Sequence, residues 1–158
     1  MINSSLCYIQ QNGKYLMLHR VKKENDCNKD KWIGIGGKFE DGESPEECML
    51  REVREETALE LKRWEYRGIV TFVSDEWETE YMHLFTSDSF SGVPIKSEDC
   101  PEGELEWVDI AKIPSLPVWE GDRLFLELLA KNVPFFSMKL IYKGEKLVCA
   151  LLNGEKMM

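Results

Sequence analysis

The chain has 158 residues and a formal net charge of −9, with 43% hydrophobic and 31% charged residues. A chain of this length can bury its own core, so we expect a single domain spanning residues 1–158. The acidic charge argues against a general nucleic-acid-binding surface, and the chain has neither an apolar run of membrane-helix length nor a secretory signal pattern. The five cysteines are scattered without a C-x-x-C pair, which indicates reduced thiols and a cytoplasmic protein.

The first predicted elements are two strands, at residues 5–10 and 14–18. Asn12-Gly13 between them favours a two-residue hairpin turn. Residues 19–31 are polar and charged, which predicts an exposed loop. The basic residues of this loop could instead guide phosphate groups: Arg20, Lys22 and Lys23.

A glycine-rich apolar stretch at residues 32–39 is followed by a predicted helix at 44–57. Ser44 is a favourable N-cap, and Pro45 suits the first helical position. Glu47, three residues after Ser44, completes a capping box.

The remaining pattern alternates strands with one more helix. Strands are predicted at 66–73, 79–86 and near 105–108, a helix at 122–131, and a terminal hairpin from 136–142 and 146–151 around Lys143-Gly144. This order predicts an α/β fold in which a mixed β-sheet is sandwiched between α-helices, an α/β/α sandwich.

Three glutamates of the first helix share one face. Glu52, Glu55 and Glu56 stand at i, i+3 and i+4. Their like charges repel, and a divalent cation would convert that repulsion into binding, because carboxylate oxygens suit a hard ion such as Mg²⁺. Arg51 can pair with Glu55, four residues later, and orient it. The same spacing is also typical of a solvated helix with salt bridges, so by itself it leaves both interpretations open.

Residues 37–59 resemble the Nudix box, written G-x5-E-x7-R-E-U-x-E-E-x-G-U, where U is a bulky aliphatic residue. The residues that match in register are Gly37, Glu43, Arg51, Glu52, Val53, Glu55, Glu56 and Leu59. Ala58 stands where the family has glycine. That glycine would serve the turn that ends the helix, so alanine should cost about 1 kcal/mol or shift the turn, without removing a ligand.

The resemblance implies the Nudix fold and a catalytic metal held beside the helix. Glu52, Glu55 and Glu56 would be ligands, together with a backbone carbonyl of Gly36 or Gly37. We expect Mg²⁺ as the cofactor, with Mn²⁺ as an alternative. Family members hydrolyse a nucleoside diphosphate linked to another group, and the metal would neutralise phosphate oxygens and lower the pKa of bound water.

A general base must remove the proton of the attacking water, and two residues are candidates. Glu55 lies on the acidic helix face and is ordered by Arg51. Glu102 precedes the short strand near Trp107, a position at which MutT-like members carry a glutamate close to the metal. The alternative for Glu102 is an ordinary surface turn.

The resemblance extends beyond the box to MutT-like 8-oxo-dGTP diphosphatases. Residues 31–38 are similar to their glycine-rich segment, although Ile33 stands where some members have a base-contacting asparagine. Residues 117–122 resemble a segment whose tryptophan stacks on the purine and whose acid bonds its edge. The resulting predicted substrate-binding set is Trp119, Asp122, Glu120, Phe72, Arg20 and Lys38.

Structural alternatives exist for these residues as well. Asp122 could be the N-cap of the second helix, while Trp119 and Phe72 could be ordinary core residues.

The leading hypothesis is an 8-oxo-dGTP diphosphatase that releases the nucleoside monophosphate and pyrophosphate and thereby cleanses the nucleotide pool. Other NTPs, ADP-ribose or a sugar nucleotide are alternative substrates, and a non-catalytic nucleotide-binding module is a further alternative. The expected partner is a small nucleotide, with no nucleic-acid polymer and no membrane. The sequence does not indicate an oligomeric state.

Overall fold

The computed structural model describes all residues from Met1 to Met158, which form ten strands and two α-helices. The strands are β1 (Ile2–Gln11), β2 (Lys14–His19), β3 (Trp32–Ile33), β4 (Ile35–Lys38), β5 (Glu60–Ser74), β6 (Glu80–Ser91), β7 (Glu104–Asp109), β8 (Phe136–Lys143), β9 (Lys146–Leu152) and β10 (Glu155–Lys156). The helices are α1 (Pro45–Thr57) and α2 (Glu120–Ala130), and single 3₁₀ segments occur at Ser97–Asp99 and Ile110–Ser115. Neither α-helix is long and apolar enough to cross a membrane.

The sheet is mixed, as predicted. Its strand order is β10-β9-β8-β5-β6-β1-β2-β3, with β4 added to β1 and β7 added to β2. β1 runs parallel to β6, and β5 runs parallel to β8, whereas β5 and β6 form an antiparallel pair. The register pairs Ser4 with Met82 and Phe72 with Glu80, and it thereby determines which side chains lie on the same face of the sheet.

Two hydrophobic clusters lie on opposite faces of the sheet because side chains alternate along each strand. Tyr8 of β1 belongs to the cluster that contains Phe125 of α2. Its neighbour Ile9 belongs to the cluster that contains Met49 and Val53 of α1. Each helix therefore covers one face, which confirms the α/β/α sandwich.

The boundaries of α1 follow from its local sequence. Ser44 accepts a hydrogen bond from the Glu47 amide at 3.1 Å, and the Glu47 side chain accepts one from the Ser44 amide at 2.9 Å, so the predicted capping box is present. The helix ends at Ala58, which adopts φ +65° and donates its amide to the Arg54 carbonyl at 2.9 Å. The turn is therefore kept in its left-handed form, and alanine bears the steric cost of it.

The structure differs from the sequence prediction mainly in strand length. β5 begins at Glu60 and β6 ends at Ser91, well beyond the predicted 66–73 and 79–86. Their outer parts are strands because they pair with each other, and the prediction missed them because they are polar. The glycine-rich stretch contains β3 and β4, which were not predicted as strands. The second helix begins at Glu120 rather than Asp122.

Candidate active site

A cavity of about 670 Å³ lies between the sheet, α1, the start of α2 and the loop at residues 20–31. It brings together most of the predicted site residues: Arg20, Gly36, Gly37, Lys38, Arg51, Glu52, Glu56, Phe72, Glu102, Trp119 and Asp122. We call the part formed by Glu52, Glu56 and Glu102 the acid end, and the part formed by Phe72, Trp119 and Asp122 the aromatic end. Glu55 and Glu120 do not line this cavity.

Arg51 organises the carboxylates of the acid end. Its guanidinium is 2.7 Å from Glu43, 2.8 Å from Glu52, 2.9 Å from Glu40 and 3.1 Å from Glu55, and it also donates to the Lys38 carbonyl at 3.0 Å. The hydrogen bond from Arg51 lowers the pKa of Glu43 to about 2. The expected Arg51–Glu55 pair is present. It belongs to a wider network that fixes the start of α1 and the preceding loop to each other.

Glu56 is a buried carboxyl group with a single hydrogen-bond donor. Its Oε2 accepts from the Gly36 amide at 3.2 Å, and the residue is only 3% exposed. Burial, followed by the nearby charges of Glu52 and Glu102, raises the pKa of Glu56 to about 8. Burial also raises the pKa of Glu52, although its bond to Arg51 opposes this. Glu56 is therefore a buried carboxyl group without a cationic partner, whereas Glu52 is paired with Arg51.

Glycine is required on the strand facing these acids. A Cβ added at Gly37 would lie 2.5 Å from the Glu52 carboxyl carbon, and one added at Gly36 would overlap the Ser5 carbonyl oxygen of β1. The backbone of β4 can thus approach both α1 and β1 as no other residue would permit. The Gly37 carbonyl accepts a bond from the Cys48 thiol at 3.4 Å.

The acid end fits a divalent cation by its donor chemistry, although no three acidic, histidine or cysteine side chains are grouped as a metal site in this arrangement. Glu52 turns toward Arg51, and Glu56 toward the Gly36 amide. All the groups available are hard oxygen donors, and a buried carboxyl group without a cationic partner is what such an ion would stabilise. Glu52, Glu56 and Glu102, with a carbonyl of the Gly36-Gly37 pair, could hold it.

Glu102 is held at the cavity by two basic residues of the 20–31 loop. Its Oε2 is 3.3 Å from Arg20 and 3.0 Å from Lys23. Arg20 in turn donates to Asp26 at 2.9 Å, and its side chain is only 14% exposed. The loop is therefore anchored through ion pairs rather than fully solvated as its composition predicted. Lys22 faces away from the cavity and donates to the carbonyls of Ser97 and Cys100.

Glu55 lies outside the cavity on the exposed side of α1. Its side chain is 57% exposed and its only partner is Arg51. The predicted helical face does hold Glu52 and Glu56 together, but Glu55 stays at its outer edge.

The aromatic end is a cluster of rings around Trp119. The indole packs edge-on against Phe72 and Tyr142, with ring centroids 5.3 Å and 4.9 Å away. Its Nε1 donates to Asn28 of the loop at 2.8 Å, and the Lys31 ammonium lies 4.8 Å from the ring centroid. Trp119 is only 5% exposed, so it is both a core residue and part of the cavity wall.

Asp122 lies in the first turn of α2, and its amide donates to the Trp119 carbonyl. It is not the N-cap, because that position is taken by Trp119, which makes no side-chain cap bond. Asp122 is 6% exposed, and burial raises its pKa to about 7, with Arg123 and Lys31 opposing the shift. A carboxyl group with such a pKa can present either a donor or an acceptor near neutral pH.

Glu120 requires a correction. It is exposed at the start of α2 and points to the neighbouring strand, where its Oε1 accepts from the Leu147 amide at 3.4 Å. Residues two positions apart on a helix are rotated by about 200° relative to each other, so Glu120 and Asp122 cannot both face the cavity.

The sequence interpretation missed the part of the 20–31 loop that closes the cavity. Asp26, Cys27 and Asn28 all line it, and Asn28 binds Trp119, which is 91 residues away in sequence. A polar loop with no periodicity gives no signal for such contacts.

Comparison with known proteins agrees with this geometry. Residues 3–129 match the NUDIX domain family model. The Nudix hydrolase YvcI of Bacillus subtilis is 32% identical over 130 residues, covering 80% of this chain and 77% of the relative. An oxidized purine nucleoside triphosphate hydrolase of Danio rerio is 31% identical over 132 residues, covering 83% and 81%.

The solved structures agree as well. The MutT protein from Bacillus halodurans superposes with a TM-score of 0.85 at 25% sequence identity, covering 98% of this chain and 99% of that one. The chain belongs to the Nudix family, whose members are pyrophosphohydrolases that generally use divalent metal ions.

Proposed function

We propose that this protein hydrolyses oxidised purine nucleoside triphosphates, 8-oxo-dGTP in particular, to the nucleoside monophosphate and pyrophosphate. The observation that carries the proposal is one continuous cavity with carboxyl groups at its acid end and a buried aspartate beside an indole at its aromatic end. The length of the match to the Danio rerio relative, whose name gives this activity, supports it.

In this proposal Mg²⁺ is held by Glu52, Glu56 and Glu102 and by a carbonyl of Gly36 or Gly37, with Glu55 as an outer ligand. Such an ion supplies neutralisation of phosphate oxygens and acidification of a bound water. Arg20 and Lys38, both at the cavity wall, would bind phosphate oxygens. Arg51 keeps Glu52 and Glu55 oriented.

Glu102 is our candidate for the general base. It lines the cavity, whereas Glu55 is exposed beside Arg51. A base must reach the water within about 3 Å, and a residue on the wall of the substrate cavity can do so. The ion pairs of Glu102 with Arg20 and Lys23 would orient it before substrate enters.

The nucleotide base of the substrate would lie against the rings of Phe72 and Trp119, with one of its edges hydrogen-bonded to Asp122. The Lys31 ammonium lies over the Trp119 ring in this structure. It must therefore move away, or bind a phosphate group of the substrate, when the nucleotide base enters. Stacking on an indole contributes about 1–3 kcal/mol and is tolerant of base identity. Discrimination would then come from the carboxyl group of Asp122, because N7 of 8-oxoguanine is a donor.

A Nudix pyrophosphohydrolase acting on another nucleoside diphosphate derivative is the second candidate, and Ile33 favours it. This residue lines the cavity and offers no hydrogen bond where some MutT-like proteins have asparagine.

The test is a panel of substrates with purified protein and Mg²⁺: 8-oxo-dGTP, dGTP, dATP, dTTP, ADP-ribose and a sugar nucleotide. We expect the highest kcat/KM for 8-oxo-dGTP, with pyrophosphate as a product. A higher value for ADP-ribose or the sugar nucleotide would select the second candidate. Mn²⁺ in parallel reactions tests the choice of ion.

A further inference from the structure

Glu80 is a carboxyl residue of the cavity that the proposed reaction does not use. It is the first residue of β6 and lies directly opposite Phe72 of β5. Directly opposed residues of an antiparallel pair point to the same face, with Cβ atoms about 5 Å apart. Because the Phe72 ring packs on Trp119, Glu80 lies one side chain away from the rings of the aromatic end.

The Glu80 carboxyl group is oriented by a neighbouring strand. Ser4 of β1 donates its hydroxyl to Glu80 Oε2 at 2.6 Å. Ser4 is 6% exposed, so this bond is shielded from solvent. Oε1 has no hydrogen-bond or ion-pair partner in the structure, so one oxygen is fixed while the other can accept from a ligand.

Few other charged groups surround Glu80. Lys38, Glu40 and Glu78 line the same part of the cavity, and none forms an ion pair with it. Cys27 of the loop also lines the cavity, and its pKa is raised to about 11 by burial and then by the charges of Glu80 and Asp26. The ligand that enters here therefore meets a neutral thiol.

We propose that Glu80, held by Ser4, is a specificity-determining residue that accepts a hydrogen bond from a second edge of the base, while Asp122 binds the first. This inference rests on the proposed function and names the base class: a purine with N–H donors on two edges. Guanine presents N7 as an acceptor on its major-groove edge. In 8-oxoguanine that nitrogen carries a proton, so donors stand on both sides of the ring system.

Of the two carboxyl groups, the one of Asp122 would also exclude the undamaged base. A carboxylate opposite the acceptor N7 of guanine places lone pairs against lone pairs, which is a repulsive element against the wrong ligand. The site would thus read oxidation through its electrostatics.

The test compares Glu80→Gln, Ser4→Ala and the control Glu76→Gln. Glu76 lies in the same β5–β6 turn, is exposed and does not line the cavity. The first measurement is Kd for 8-oxo-dGMP and for dGMP in metal-free buffer, which removes the contribution of the acid end. The second is kcat/KM for 8-oxo-dGTP and dGTP with Mg²⁺.

We expect Glu80→Gln to weaken the binding of 8-oxo-dGMP and of dGMP, each by about 10- to 100-fold, because both bases present the same donors on the edge away from N7. Ser4→Ala should act in the same direction by a smaller factor, because it releases the carboxyl group without removing it. Glu76→Gln should match the wild type. Unchanged Kd values for both ligands in Glu80→Gln would overturn the role of Glu80 while the wild-type activity stands. A wild type that shows no preference for 8-oxo-dGTP would instead refute the proposed function and, with it, this inference.

Discussion

The acid end and the aromatic end of the cavity are built in different ways. Two of the three acid-end glutamates lie four residues apart on α1, and the network around Arg51 connects groups within residues 38–55. The aromatic end joins Phe72 of β5 to Trp119 and Asp122 at the start of α2, and Asn28 of the loop closes it. One end therefore depends on helix geometry, and the other depends on the packing of distant segments.

The two ends also differ in how they hold charge. At the acid end Glu52 contacts Arg51 and Glu102 contacts Arg20, so both of these charges are paired, while Glu56 has no cationic partner. At the aromatic end Asp122 has no such partner, and burial dominates its pKa. The acid end thus offers several carboxyl groups to a cation, whereas the aromatic end offers one titratable carboxyl group to an uncharged edge of the ligand. Four predictions test this contrast.

The largest effect is expected for Glu56→Gln at the acid end. It should lower kcat by about three orders of magnitude, since losing a group that stabilises transition-state charge costs several kcal/mol. The Tm should not fall, because burial already disfavours the charged form of Glu56. Steady-state kinetics and thermal unfolding measure both effects. Glu60→Gln, on an exposed residue paired with Arg54, is the control. Near-wild-type turnover in Glu56→Gln would rule out a role for the acid end in catalysis.

Asp122→Asn should change how stability depends on pH. The pKa of Asp122 is about 7 in the folded chain and near 3.8 in the unfolded one, so the folded state binds the extra proton. The contribution of Asp122 to the free energy of unfolding is therefore fully present below pH about 4 and is lost as pH rises through 7. The loss approaches roughly 4 kcal/mol at alkaline pH.

Urea unfolding of both proteins between pH 4 and 9 measures this effect. The difference in free energy of unfolding between Asp122→Asn and the wild type should grow in favour of the variant as pH rises. Asp41→Asn, at an exposed position, serves as the control. Parallel pH curves for Asp122→Asn and the wild type would show that Asp122 is ionised at no cost in the fold.

Trp119→Phe should act on substrate binding at the aromatic end. Phenylalanine keeps much of the packing against Phe72 and Tyr142 but loses the indole surface and the bond to Asn28. We expect KM for the purine triphosphate to rise about tenfold, with a smaller change in kcat. Trp64→Phe, on a 37% exposed tryptophan outside the cavity, controls for the loss of an indole. A fall in kcat at constant KM would contradict this prediction, because it would show that Trp119 acts on the chemical step and not on substrate binding.

The smallest effect is expected for Ala58→Gly at the end of α1. Glycine adopts the observed φ of +65° without a Cβ penalty, so the free energy of unfolding should rise by roughly 0.5–1 kcal/mol. Turnover should stay unchanged, because Ala58 contributes no ligand. Ala130→Gly, at the right-handed end of α2, should instead lower stability. Destabilisation by Ala58→Gly would indicate that the turn changes form when alanine is removed.

The helical part of the acid end could be predicted because its signals are local. The capping residues Ser44 and Glu47, the spacing of Glu52 and Glu56, and the glycines of β4 all act within a short stretch of chain. The same local pattern also misled the prediction for Glu55. It placed Glu55 on the acidic face of α1, but the Glu55 side chain is exposed at the edge of that face. Periodicity gives the face of a helix and not the depth of each residue on it.

The aromatic end could be predicted only through resemblance to a family segment, and there one of two acids proved wrong. α2 begins at Glu120, two residues earlier than the sequence indicated, and the Glu120 side chain turns away from the cavity. The polar outer parts of β5 and β6 were missed for a related reason: their pairing with each other, and not hydrophobic alternation, makes them strands.

The sequence by itself determined the capped helix, its acidic face and the sandwich of a mixed sheet between helices, because these depend on contacts between residues a few positions apart and on hydrophobic alternation. The tertiary structure alone decided which side chains enclose the cavity. The bonds Ser4–Glu80 and Asn28–Trp119 join residues 76 and 91 positions apart. Such contacts are set by strand register and by loop closure over the sheet, which are properties of the whole packed chain.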